Sequence, residues 1–382
     1  NMLNTLTYLA SDELKGRLAG SEGEKKAAEF ISKAFKTLQL KPFEGKNYTQ
    51  NFSYEVKMNP HQDDSSVKVD ARNIIGYLDN KAAKTIIIGA HYDHLGLNQH
   101  HNSTLMNSEG QIHNGADDNA SGVSAVLELA RIFSQNKTKE DANYVFALFS
   151  GEEDGLMGSK VFAENVKSKY PNVVAMVNLD MVGRLNKDKD LTVGGVGTSP
   201  VFGEMIKKYI PAGFNLAIDS SGVGPSDHTS FYLKDIPVLF LFTGTHSDYH
   251  KPSDDLEKIN IEGEAKVLEL MIDLIAALDQ QPKLDFYKTR NEETGKSSFK
   301  VTMGVMPDYT FEGKGMRLDG VSDNKPAFKA GLKAGDILIE FAGQPVESVK
   351  DYMKALSSSK KGEKVKVIIL RNGSQIVKEV DL

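Results

Sequence analysis

The chain contains no cysteine. Disulfides, thiolate metal sites and a cysteine nucleophile are thereby excluded, so any metal must be held by His, Asp and Glu. It also lacks an apolar run approaching the roughly 20 residues of a membrane span; TIIIGA and VLFLF have the length of buried strands. Positive charge is not in excess: the net charge is -6 and the pI is near 5.9. That balance argues against nucleic acid or an anionic membrane as the main partner. No low-complexity tract interrupts a composition that is 40% hydrophobic and 26% charged. A globular chain of 382 residues predicts two domains.

Short apolar runs and helical patterns alternate along the first three quarters. SEGEKKAAEFISKAFKTLQL opens with a capping-box pair, Ser21 and Glu24, after which Ala27, Ile31, Ala34, Phe35 and Leu38 share one helical face. The strand-like runs NIIGYL, TIIIGAH, NYVFALFSGEE, VVAMVNLD and PVLFLF are interleaved with helical patterns in SGVSAVLELARIFSQ, GSKVFAENV and PVFGEMIKKYI. A long helical pattern, IEGEAKVLELMIDLIAALDQ, closes the series. Continuous Val, Ile, Leu and Phe strands separated by helices predict an α/β fold, a mixed and mostly parallel sheet sandwiched by helices. Composition then shifts in QQPKLDFYKTRNEETGKSS, a polar stretch with little apolar periodicity. The predicted organisation is a first domain over 1–282, a linker over 283–298, and a small, mainly β domain over 299–382.

Three of the buried runs end in ligand-type residues. TIIIGA leads into His91 with Asp93 two residues on, YVFALFSG into Glu152 and Glu153, and VVAMVN through Leu179 to Asp180. In open α/β sheets the ligand crevice lies beyond the carboxyl ends of the strands, so these side chains should converge. Asp117 and Asp118 stand side by side in HNGADDNASG ahead of a helix, and His250 follows PVLFLF after a short loop. Each has a bland reading: a hydrogen-bonded histidine, a solvated turn, a surface pair. The set is more telling, because so dense a carboxylate cluster is hard to keep ionised without cations. Nitrogen and oxygen donors suit Zn²⁺, with Mn²⁺ or Co²⁺ as substitutes. Of Glu152 and Glu153, neighbours in an extended segment, one can bind metal while the other faces the cleft; spacing does not say which.

AHYDHLG, NGADDNASG, SGEEDGLMGS, NLDMVGR and DYHKPSD occur in the order seen in the co-catalytic di-zinc aminopeptidases, and the chain resembles that family over roughly residues 3 to 280. The secreted bacterial leucyl aminopeptidases belong to it and, more distantly, glutamate carboxypeptidases and glutaminyl cyclases. The protease-associated insert of some members, expected between NFSYEV and ARNIIGYL, is missing. The resemblance implies two zinc ions per chain, one completed by His91 and Asp180, the other by Glu153 and His250, with Asp117 bridging them and a cis peptide after it. Asp118 would then support the bridge, and Asp93 would be the carboxylate orienting the His91 ring. The same resemblance implies Glu152 as general base and Tyr249 as a donor to the developing oxyanion. A packed aromatic with a wet hydroxyl is the plain alternative for Tyr249. His94, Asp227 and His228 read as pocket-wall or supporting residues, Arg184 as an ion-pair partner, and His100, His101 and His113 as rim residues. Ser220 to Gly222 lacks the Gly-x-Ser-x-Gly elbow of a serine hydrolase.

MGVMPDYTFEGKGMRLDGV and KPAFKAGLKAGDILIEFAGQPV resemble the PDZ modules attached to exported bacterial proteases. That implies a sheet edge receiving a peptide or protein C-terminus in a backbone nest near Met303, Gly304 and Val305, or a module that only packs on the enzyme. The expectation is an exported zinc aminopeptidase acting on peptides with a free N-terminus; the opening NMLNTL reads as a form from which the leader is absent. Glutaminyl cyclase and carboxypeptidase activity on the same fold are the alternatives, and a non-catalytic peptide-binding scaffold is the alternative of another class.

Overall fold

Every residue from Lys84 to His91 and from Ala142 to Phe149 is buried, as expected of strands covered on both faces. The computed structural model that shows this describes residues 1–57, 66–185, 191–210, 214–289, 301–307, 311, 313–321 and 325–382. The larger unit contains β1 (Lys41–Pro42), β2 (Thr49–Lys57), β3 (Ser66–Leu78), β4 (Lys84–His91), β5 (Ala142–Phe149), β6 (Val173–Leu179), β7 (Leu191–Gly194), β8 (Leu216–Ile218) and β9 (Val238–Phe242). Its helices are α1 (Met2–Leu9), α2 (Glu22–Thr37), α3 (Gly122–Gln135), α4 (Met157–Lys169), α5 (Phe202–Tyr209), α6 (His228–Tyr232) and α7 (Ile261–Asp279).

The strands form one sheet in the order β1-β3-β5-β4-β6-β9-β7-β8, with β2 paired to β3. Its centre, β5-β4-β6-β9, is parallel. The outer pairs β3 with β5 and β7 with β9 are antiparallel. Side-chain alternation divides the core: Ile86 and Ile88 pack with residues of α1, α2, α3 and α7, whereas Ile87 packs with Phe162 of α4 and Phe231 of α6. Each such aliphatic or aromatic side chain taken from water contributes roughly 1.5–3 kcal/mol. The helical sandwich predicted from the sequence is present. No helix among the described residues is long and apolar enough to cross a membrane.

Ser21 caps α2 as its motif predicts, accepting from the Glu24 N–H at 3.2 Å. The Glu24 carboxylate turns inward instead of back to the cap, taking the Tyr92 hydroxyl at 2.7 Å and pairing with Arg72 at 3.3 Å.

The smaller unit holds β10 (Val305–Pro307), β11 (Met316–Val321), β12 (Ile337–Phe341), β13 (Gln344–Pro345), β14 (Lys364–Arg371) and β15 (Ser374–Asp381), with α8 (Pro326–Lys329) and α9 (Val349–Ser357). Its sheet runs β10-β11-β12-β14-β15, antiparallel throughout, with β13 on β12. Met303, Leu338, Phe341 and Val367 centre a core separate from that of the larger unit. Of the stretch predicted as linker, 290–298 lies outside the described residues. The preceding residues dock on the larger unit: the Tyr287 N–H donates to Thr198 O at 2.8 Å and the Thr289 N–H to the Tyr232 hydroxyl at 2.9 Å.

Candidate metal centre

The parallel centre of the sheet brings the motifs together. His91 ends β4, Glu152 and Glu153 follow β5, Asp180 follows β6, and His250 lies in the loop after β9. Adjacent parallel strands end on the same side, so residues far apart in sequence share one crevice. Asp118 enters it from the loop that starts α3. His91 Nε2 lies 3.3 Å from Asp118 Oδ1 and 3.3 Å from Asp180 Oδ1. His250 Nε2 lies 3.2 Å from Asp118 Oδ2 and 3.0 Å from Glu153 Oε2. Each imidazole donates through its other nitrogen to a backbone carbonyl, His91 Nδ1 to Asp93 O at 3.2 Å and His250 Nδ1 to Asn102 O at 3.0 Å. With Nδ1 committed to the backbone, Nε2 is the nitrogen aimed at the carboxylates and the one that would bind a metal on losing its proton.

The donor spacing fits a small dication. A tetrahedral shell with bonds of about 2.0–2.1 Å places its donors about 3.3 Å apart, and the two trios His91–Asp118–Asp180 and His250–Asp118–Glu153 have that spacing where they meet an imidazole. The groups His91–Asp118–Glu153 and His91–Glu152–Asp180 also have their donor atoms within 4.8 Å of one another.

One assignment drawn from the resemblance changes. Asp117, expected between the two sites, has its carboxylate taken by the Gly183 N–H at 2.7 Å, the Ser121 hydroxyl at 3.1 Å and His246 Nε2 at 3.1 Å. Asp118, its neighbour, offers one oxygen to the imidazole of His91 and the other to that of His250. The cis peptide expected after Asp117 lies one residue on, between Asp118 and Asn119. Asp93 is also used differently: its carbonyl oxygen accepts from His91, whereas its carboxylate stands 3.7 Å from that ring and accepts the Glu152 N–H at 3.2 Å.

Several supporting residues carried no prior assignment. Asp254 accepts the backbone N–H groups of both Asp117 and Asp118, at 2.9 and 3.1 Å, and pairs with Arg184 at 3.1 Å. The Ser226 hydroxyl donates to Asp180 Oδ2 at 2.7 Å. Buried Arg17 donates to the carbonyls of Leu9, Tyr92, Asn114 and Gly115, tying the N-terminal segment to the loop that carries Asp118. Asp254 ends the DYHKPSD motif and Ser226 opens SDHTSF, so both had a local signal. Arg17 had none, because its partners are backbone atoms remote in sequence.

Burial opposes charge on His91, but Asp180 and Glu152 override it and raise the ring well above its ordinary value. His250 is raised in the same way, against burial, chiefly by Glu153 and Asp118. Glu152 is pushed well above the carboxylate range by burial, which His91 only partly offsets. Burial would also raise Glu153, yet His250 and His94 hold it below its usual value. Crowded acids that keep imidazoles protonated are an arrangement in which divalent cations can take the protons' place.

The remaining candidates divide between contacts with the cluster and positions away from it. His94 Nδ1 meets Glu153 Oε1 at 2.7 Å, supporting that carboxylate from behind. Burial lowers His228 to about 3 and His113 to about 4; the first stacks on Phe240 and the second reaches the Ser103 hydroxyl. His100 pairs with Asp154, and His101 is exposed. Arg184 is held by Asp248 and Asp254. The Ser221 hydroxyl donates to Val223 O. Tyr249 stacks on His250 with ring centroids 3.9 Å apart.

A cavity of about 490 Å³ opens over the cluster, walled by Met181, Val223, Phe240, Phe242 and Tyr249. Fold and donor set together define an α/β protein with a cluster of imidazoles and carboxylates at the strand ends that could hold a metal ion. The chain belongs to Peptidase family M28, whose model matches residues 73–275, and it carries a PDZ domain matched over residues 298–382.

Among curated relatives, a probable zinc metalloprotease of Pyrenophora teres f. teres is 42% identical over 106 residues, covering 28% of this chain and 21% of the relative. A probable leucine aminopeptidase of Arthroderma otae is 26% identical over 224 residues, covering 56% of this chain and 58% of the relative. The chain thus spans less than two thirds of these relatives' length. Among solved structures, the Legionella pneumophila LapA aminopeptidase superposes with a TM-score of 0.56 at 24% identity, covering 74% of this chain and 72% of the other. A Bacteroides thetaiotaomicron glutaminyl cyclase gives 0.58 at 18% identity, covering 72% and 96%.

Proposed function

We propose that the protein is an aminopeptidase that works with two zinc ions per chain. The observation that carries this reading is the position of Asp118, one oxygen toward His91 and the other toward His250, each imidazole completed by a second carboxylate. His91, Asp118 and Asp180 would hold one ion, and His250, Asp118 and Glu153 the other. Bound there, zinc supplies Lewis acidity, lowering the pKa of a water and polarising the scissile carbonyl. Glu152 reaches the same crevice but stands back from the nearest imidazole, at 3.9 Å from His91 Nε2. It is the group left to take the attacking water's proton and pass it to the leaving amine as the C–N bond breaks. Tyr249 lines the cavity beside His250 and serves as hydrogen-bond donor to the oxyanion.

The lining favours the amino end of a peptide. No lysine or arginine occurs among the described residues around the cavity, so nothing there would grip a terminal carboxylate as a carboxypeptidase must. Its carboxylates attract a substrate ammonium, and the Phe240, Phe242 and Met181 wall suits an apolar first side chain. The fold does not separate this activity from glutaminyl cyclisation, so the assay must. Leucyl-anilide should be hydrolysed, chelation should abolish turnover, and added Zn²⁺ should restore it, while an N-terminal glutaminyl peptide should not be cyclised. Glu152→Gln should keep its metal and lose roughly 10²- to 10⁴-fold in kcat. Turnover indifferent to chelator, or wild-type turnover in that variant, contradicts the reading.

A further inference from the structure

The cavity over the cluster is not walled by the larger unit alone. Val305 and Pro307 of β10, Phe311, and Ser348 and Val349 at the start of α9 line it together with His91, Glu152 and Tyr249. β10 is an edge strand whose pairing partner among the described strands is β11, which leaves one flank able to accept a further strand. Ahead of it, Gly304 takes φ +72°, a left-handed turn where any side chain would strike the Lys325 stem, with an added Cβ 2.2 Å from Lys325 Cβ. Lys325 itself is exposed, so a cation stands at the same end of β10 as that turn. A backbone turn of this kind with a cation beside it suits a carboxylate.

Direction follows from the placement. A peptide whose terminal carboxylate sits ahead of β10 and whose body lies alongside that strand must run antiparallel to it. Its upstream residues therefore pass Pro307 and Phe311. Pro307 has no N–H to donate, so the hydrogen-bonded stretch is short and the peptide leaves the edge there. Pro307 and Phe311 line the same cavity as Glu152, Tyr249 and His250.

We propose that the PDZ edge and the metal centre are two ends of one cleft, so that the preferred substrates are short peptides with both termini free. The carboxylate sits at Gly304 and Lys325, the amino end at the His91–Asp118–His250 cluster, and the span between them selects peptide length. This rests on the aminopeptidase reading and adds a substrate class to it.

The test uses the full chain loaded with zinc and a ladder of peptides sharing one N-terminal residue, each made as the free acid and as the C-terminal amide. Leucyl-anilide is run alongside. The expected result is a narrow range of lengths over which the acid exceeds the amide in kcat/KM by about fivefold, the scale of one partly exposed charge pair. Lys325→Glu should abolish or invert that preference. Equal rates for acid and amide at every length, with leucyl-anilide still hydrolysed, overturn the two-ended cleft and leave the aminopeptidase reading standing. A preference that persists unchanged in Lys325→Glu also overturns it, since the carboxylate would then sit elsewhere. Failure to hydrolyse the anilide overturns both.

Discussion

Asp117 and Asp118 share chemistry and burial, and their surroundings alone give them different work. Gly183, Ser121 and His246 hold the carboxylate of Asp117, while His91 and His250 face that of Asp118. On the two-zinc reading proposed above, Asp118→Ala should lose metal at both sites and fall in activity by at least about 10³-fold, a loss of the order expected when a group acting on both ions is removed. Asp117→Asn keeps an acceptor for Gly183 and should retain most of its metal. Elemental analysis beside kinetics separates the two, and equal metal loss would remove the distinction. The sequence showed that this loop carries ligand-type acids but not which one points inward, because it has neither helical nor strand periodicity to set a face. His91, Glu152, Glu153, Asp180 and His250 could be placed near one crevice beforehand because each lies at or beyond the carboxyl end of a strand, but spacing left open which glutamate faces a metal.

The elements carry constraints of their own. Gly122, at the start of α3, is packed so closely that an added Cβ would lie 2.3 Å from Asn119 Oδ1 and 2.5 Å from Leu179 O. Those residues adjoin Asp118 and Asp180, so Gly122→Ala should cost about 1–3 kcal/mol by overpacking and weaken metal affinity as well, readable by calorimetry and zinc titration. On α7, Glu264 is fully buried, has the Ser124 hydroxyl as partner, and is raised by burial to about 8. A carboxyl whose folded pKa exceeds its unfolded value, 4.5 here, binds protons more tightly in the native state. Its stabilisation is complete below about pH 4.5 and is lost as pH rises through about 8. Wild-type Tm should accordingly fall relative to Glu264→Gln between pH 5 and pH 9, and parallel curves would refute the shift. The buried strands β4 and β5 could be read as uninterrupted apolar runs. β2 was harder to place as a strand, since TQNFSYEVK is largely polar and sits at the margin, where pairing with β3 is a tertiary matter.

At the scale of the whole molecule, the two units have separate cores and so should unfold separately. Two thermal transitions are expected, of which the one belonging to the larger unit rises with zinc, by about 2.7 kcal/mol at a hundred times the dissociation constant. A single transition, or a zinc response in both, would show the cores to be coupled. The bonds from Asp254 to the Asp117 and Asp118 amides, the latter across 136 residues, also order events during synthesis. Until the stretch bearing His250 and Asp254 has left the ribosome, the acidic loop has neither its clamp nor its second imidazole. A nascent chain therefore cannot assemble the imidazole–carboxylate cluster early, and a product cut short before that stretch should emerge without the metal binding proposed for it.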